Sequence, residues 1–345
     1  MEMDERKIRI LQAIIDDYIV NAEPVGSRTI AKKYHLGISS ATIRNEMADL
    51  EEMGYLEQLH TSSGRKPSDK GYRLYVDKLM HVSDLSPQEE YVIKNTLLDS
   101  ALYEVDKIIK NASALLSELT RLTCMVMAPS VNKSCIKSIQ LVLIDSADVL
   151  IVIVTDSGII KDNVIRISRN MKSDDLLKLT NLLNARLKGL TVEEINLEVI
   201  NNLKKDLLGY DDIFNAIIPV LYDSLKSVDN ADIYLEGSTN IFNYPEYNDI
   251  EKAKEFLALL EDKKNLKSLL SGSSGMNVKI GEENYLEGAK DCSVISAVYS
   301  LGDRPLGEIG VIGPTRIPYS KIIAIMAVIV KQINDNLSST YIDDR

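Results

Sequence analysis

The sequence predicts an α+β chain, and three changes in apolar spacing carry that reading. Helical spacing fills the first 55 residues, where a short helix, a glycine turn and a capped second helix come one after another. From Cys124 the period becomes strand-like, through Ile136–Ile144, Val149–Thr155 and Val164–Ile167. Helical spacing then returns at Ser173, and strands resume at Val278, Ser293–Leu301 and Gly307–Ile312. Strands before residue 168 and after residue 276 are expected to share one antiparallel sheet, with the helices between them inserted.

Glu5–Val20 reads as the first helix, with Ile8, Leu11, Ile14, Ile15 and Ile19 as its core stripe. Pro24, Gly26 and Ser27 make a turn, with Ser27 as the expected N-cap of a helix over residues 28–34. His35-Leu36-Gly37-Ile38 is a tight connection. Ser39 or Ser40 then caps a longer helix that ends near Met53, with Gly54 just past it. This is the helix-turn-helix pattern.

The second helix of that pair has two faces. Ile43, Met47 and Leu50 form an apolar stripe, while Ala41, Arg44, Asn45 and Ala48 lie opposite. An arginine can bond a guanine edge through two N–H groups, an asparagine an adenine edge, and alanines leave room in a major groove. Ser39, Ser40 and Thr42 offer hydroxyls and free N–H groups to phosphate at the helix start. Ser27, Arg28 and Lys32 on the preceding helix are candidate phosphate contacts. A solvated helix face is the plain alternative for all of these.

The next segment narrows the choice. Tyr55–Leu59 is strand-like, and residues 60–68 form a turn-rich tip ending in Arg65 and Lys66. A helix-turn-helix with a basic hairpin after it is a winged helix, and Arg65 and Lys66 would lie along the minor groove or backbone. Tyr72 and Arg73 would brace the wing. The net charge is −11, which argues against nonspecific coating of nucleic acid. Residues 1–80 hold 12 Lys+Arg against 13 Asp+Glu, so the acidic surplus lies beyond them and DNA should meet one end only.

The three cysteines are scattered and form no CxxC, consistent with reduced thiols in a cytoplasmic protein. Three scattered histidines support neither a metal site nor a catalytic triad. Gly302–Gly307 lacks the Gly-Lys-Ser/Thr of a phosphate loop and reads as a hairpin turn. Mostly Val, Ile and Leu line the strands, which favours a filled core over a ligand pocket. Neither an enzyme nor a cofactor is expected. The start is acidic and not a signal peptide. The longest apolar run, Ile322–Val330, falls far short of the ~20 residues of a membrane span. Ser83–Pro87 reads as a linker, and Arg316 is a candidate subunit or domain contact.

Four stretches, EPVGSRTIAKKY, SSATIRNEMADLEEMGYLEQLHTSSGRKPSDKGYRLYVD, LLNARLKGLT and LGEIGVIGPTRIPYSKI, resemble the HrcA family of bacterial heat-inducible transcription repressors. Ile317 departs from that family's usual methionine, a conservative change. The resemblance implies a winged helix, a GAF-like antiparallel-sheet domain and a helix-rich dimerisation domain inserted into it. The expected boundaries are 1–80 for the winged helix, 81–168 and 246–345 for the two parts of the GAF-like domain, and 169–245 for the insertion. It also implies repression of chaperone operons through an inverted-repeat operator in double-stranded DNA, a homodimer, and dependence on the GroEL chaperonin. The homodimer would be held by residues 170–245, with the long helix Leu102–Leu122 as a further contact. A small-molecule-sensing winged-helix regulator is the alternative.

Overall fold

The computed structural model describes residues 3–58, 64–98, 105–128, 135–145, 148–156, 158, 160–167, 171, 173–191, 194–207, 210, 214–219, 233–270, 275–302 and 304–341. It has α+β architecture, with two-, five- and three-stranded antiparallel sheets. The expected hairpin tip at 60–63 lies outside the described residues, as do most of the helix expected over 211–225 and the start of the one expected at 102.

The first unit comprises α1 (Glu5–Asn21), α2 (Ser27–Lys33), α3 (Ser40–Glu52), β1 (Leu56–Glu57), β2 (Lys66–Pro67) and α4 (Asp69–Leu74), which runs on as a π-helical turn over Tyr75–Leu79. Asp4 caps α1 by accepting the Lys7 N–H at 2.8 Å. Ile10, Leu11, Ile14, Ile15, Ile30, Ile43 and Leu50 are fully buried between the three helices. Ile8 is only half-buried, and Ile10 takes the place the spacing had assigned to it.

The body is built on α5 (Pro87–Leu98), α6 (Val105–Thr120), β3 (Thr123–Met127), β7 (Ile233–Glu236), α10 (Ile250–Glu261), α11 (Lys263–Leu270), β8 (Met276–Ile280), β9 (Cys292–Leu301), β10 (Arg304–Pro314) and α12 (Tyr319–Tyr341). Its sheet runs β7-β3-β10-β9-β8. The β9–β10 hairpin turns at Gly302, as expected. The single helix expected over 250–270 is two. Asp262 is extended, and its carboxylate caps the second helix through the Lys264 N–H at 2.8 Å.

The insertion differs from expectation. Strands β4 (Ile136–Leu143), β5 (Asp148–Thr155) and β6 (Ile160–Arg166) do not join the body sheet but form a sheet of their own. With α7 (Ser173–Leu187), α8 (Leu197–Asp206) and α9, described over 214–219, they enclose a separate apolar core. The independent unit therefore begins near residue 135 rather than 169, and β7 already belongs to the body. Alternation marks a strand but not its partner, so spacing alone could not separate the two sheets.

One side chain sets an acid-sensitive link. Glu89 accepts from the Ser86 N–H and hydroxyl at 2.9 and 2.8 Å and from the Lys321 ammonium at 2.6 Å. Lys321 first, then Ser86, hold its carboxyl at about 2, below the ordinary 4.5. A carboxyl depressed in the folded state gives stability that is complete above its unfolded value and lost as pH falls through the folded one. Between pH 4.5 and 2, thermal melts of Glu89→Gln should therefore lose less stability than those of the unaltered chain.

Candidate nucleic-acid interface

The candidate interface is arranged around α3. Ser39 caps it, accepting the Thr42 N–H at 3.1 Å and pairing with the Thr42 hydroxyl at 2.9 Å. Ser40 is the first helical residue. Both Ser40 and Thr42 are half-buried. Ile43, Met47 and Leu50 are buried, and Ala41, Arg44, Asn45 and Ala48 are all exposed. Arg44 forms no ion pair with any described residue. The face therefore offers one unpaired guanidinium and one amide between small side chains, a shape suited to base edges.

An ion cluster holds α3 from behind. The Lys7 ammonium lies 2.8 Å from Glu46 Oε2 and 3.2 Å from Asp49 Oδ2, and Arg6 Nη1 lies 3.3 Å from Glu46 Oε1. Hydrogen bonds to Glu46 first, then to Asp49, raise the pKa of Lys7. The side chains of Lys7 and Glu46 are 10% and 11% exposed. Removing one partner of such a partly desolvated cluster would leave the remaining charge uncompensated. Sequence reasoning missed the cluster because each charge borders an apolar stripe and reads as surface. The one available signal was a lysine on α1 and acids on α3 flanking the stripes that pack together.

The wing is a two-stranded ladder, Leu56 opposite Pro67 and Glu57 opposite Lys66. Its base is tied to the turn before α2 by the Val25–Arg65 backbone pair, at 2.8 and 2.9 Å. Gly64 permits that approach, because a Cβ there would fall 2.5 Å from the Pro24 and Val25 backbone. Lys66 pairs with Glu57 at 3.0 Å and keeps 30% of its side chain exposed.

Two expected contact residues sit differently. Arg65 is folded back on Glu51, with Nε 2.7 Å from Oε2, so it braces the wing against the end of α3. Ser27 is buried and is not the cap: Gly26 holds that position, and Ser27 opens α2 beside the Val25–Arg65 pair. Arg28 and Lys32 are exposed one helical turn apart on α2. Among the described residues, no group of three or more His, Cys, Asp or Glu is placed to hold a metal ion.

A family model described as the HrcA protein C-terminal domain matches residues 106–323, more than half of the chain. The chain belongs to the HrcA family. A heat-inducible transcription repressor HrcA of Clostridium acetobutylicum is 61% identical over 98% of both chains. One from Clostridium botulinum is 59% identical over 98% of this chain and 99% of its own. Ruminiclostridium cellulolyticum has an HrcA that is 47% identical over 98% of both. These alignments include the winged helix that the family model leaves out. A crystal structure described only as a hypothetical protein shares the fold, with TM-score 0.68 and 24% identity over 98% of this chain and 100% of that one. HrcA proteins are transcription repressors and not enzymes, and the chain is a heat-shock transcription repressor of this family. Among the described residues, no helix is long and apolar enough to cross a membrane.

Proposed function

We propose that this HrcA-family chain represses chaperone operons of the groE and dnaK type by binding an inverted-repeat operator as a homodimer, with GroEL maintaining the active form. The observation that carries the reading is the exposed Ala41–Arg44–Asn45–Ala48 face on a capped, braced helix beside a paired wing. In this arrangement Arg44 reads a guanine and Asn45 an adenine, while Ser39, Ser40, Thr42, Arg28 and Lys32 hold phosphates and Lys66 tracks the wing to the backbone.

A single winged helix covers only one half-site, burying roughly 600–1,000 Å². Two copies on a two-fold operator supply the rest. The inserted lobe has a surface that suits self-association. One face of its sheet packs Ile139, Leu141, Ile151 and Ile153 on α7. The other carries Val142, Leu150 and Val164 in one cross-strand row and Val154 beside Ile160 in another, with Val142, Ile160 and Val164 about half exposed. An apolar sheet face left open on a monomer favours a second copy across it. This support falls on strands 136–166 rather than on the helices of 170–245.

The same open face gives the chaperonin a physical role. A monomer that exposes it is prone to aggregate, so the active fraction depends on chaperone supply. Heat-damaged proteins compete for that supply, active repressor falls, and chaperone genes are transcribed.

The test is a titration against a duplex carrying the inverted repeat from upstream of a groE or dnaK operon, beside a scrambled duplex, at two salt concentrations and with or without GroEL. The expected result is tight binding to the repeat alone, improved by GroEL and weakened by salt as phosphate contacts predict. Equal binding to both duplexes would overturn the operator reading, and indifference to GroEL the chaperonin part.

A further inference from the structure

A linker between a DNA-binding unit and its body usually leaves the two free to reorient. Here the core of the winged helix and that of the body form one continuous apolar cluster, running from Ile10 and Leu11 through Tyr72 to Ile317, Tyr319 and Ile322. Tyr72 and Tyr319 meet with ring centroids 5.8 Å apart. The linker itself is pinned, since the Ser320 hydroxyl bonds the His81 carbonyl and lies 2.6 Å from the Ser83 hydroxyl.

Polar contacts complete the joint. Arg73, on the helix leaving the wing, donates through Nε to Glu283 at 2.8 Å and through Nη2 to Glu283 and to the Val278 carbonyl at the edge of the body sheet. It also holds Asp77 at 3.1 Å. Burial works to raise the Glu283 carboxyl, but Arg73 and the Ile280 N–H together leave it lowered. Asp69 accepts the Glu282 N–H at 3.0 Å. Gly281 makes that approach possible: its φ is +54°, and a Cβ there would fall 1.8 Å from the Asp69 carboxylate. On the other flank Arg316 donates to the Ile19 carbonyl at the end of α1 at 3.2 Å, while pairing with Glu246 and lying over the Tyr244 ring.

We infer that this clasp of Asp69, Arg73 and Arg316 fixes the direction of each recognition helix relative to the body, and so sets the half-site spacing that the dimer accepts. The inference rests on the operator reading above. Flexibly tethered modules tolerate a change of spacing, because the tether absorbs it. Rigidly mounted ones do not, since each added base pair moves a half-site by ~3.4 Å and turns it by about 35°. Arg73, Asp69 and Arg316 are positioning residues that need not touch DNA.

The experiment compares the full chain with Arg73→Gln on the repeat duplex with its natural spacer and with spacers changed by one, two and three base pairs. The unaltered chain should lose at least ~10-fold in affinity at a change of two or three, and Arg73→Gln less than ~3-fold. Both should bind a single half-site equally. Arg73→Lys, which keeps a cation against Glu283, should retain discrimination, which a merely structural loss would not. If Arg73→Gln fails to fold, Glu283→Gln replaces it, leaving Arg73 its Asp77 and Val278 partners. Identical spacing profiles in variant and unaltered chain would overturn the inference.

A second arm needs no DNA. Spin labels at Glu52→Cys and Lys331→Cys, in a Cys135→Ser background, should give a narrow distance distribution that Arg73→Gln broadens. Equal widths would overturn the clasp. Failure of the unaltered chain to prefer the repeat would instead overturn the operator reading, and the spacing role with it, while the label distances still report on the joint.

Discussion

A chain carrying both Val142→Asp and Val164→Asp is expected to sediment as a monomer and to lose about 100- to 10,000-fold in operator affinity. The two residues share one cross-strand row with Leu150 on the open face of the inserted sheet. Each is about half exposed in the single chain, at 48% and 53%. The charges therefore cost the lobe little by themselves, since exposed substitutions usually change stability by less than ~0.5 kcal/mol. Across a two-fold contact the same carboxylates would be desolvated and set against their own copies, and the dimer should not form. Affinity falls because each winged helix must then find its half-site alone. Sedimentation, circular dichroism and a titration on the repeat check the three parts separately. A folded dimer of unaltered affinity would move the subunit contact elsewhere.

Arg44→Ala is expected to weaken operator binding by about 1–3 kcal/mol at each half-site, or at least ~30-fold for a dimer holding two. Arg44 is exposed, pairs with no described carboxylate and packs in no core, so melting temperature should stay nearly unchanged. Because the lost bond is to a base, binding to scrambled duplex and the salt slope should change little. Lys66→Ala is the useful contrast: it should weaken both duplexes alike and lower the salt slope. A similar drop on both duplexes for Arg44→Ala would make Arg44 a phosphate contact instead.

The candidate DNA-binding end was legible because its signals are local. The Ser39 cap, the Ile43–Met47–Leu50 stripe and the small residues around Arg44 and Asn45 lie within fifteen positions, and helix geometry alone sorts them onto faces. Arg65 was not legible, because its fate depends on Glu51, fourteen residues away on another element. The same limit hid the Lys7–Glu46–Asp49 cluster, which joins α1 to α3.

By itself, then, the sequence determined the α+β class, the winged helix, the exposed Arg44–Asn45 face and the presence of an insertion, since each arises from short-range periodicity, capping and turn chemistry. Only the tertiary structure decided which strands pair, that the insertion starts near residue 135, that one sheet face of it is open among the described residues, and that Asp69, Arg73 and Arg316 bond across from the winged helix to the body. Alternating apolar residues show that a strand has a buried face but not what covers it. A salt bridge across 210 residues leaves no period in the chain at all.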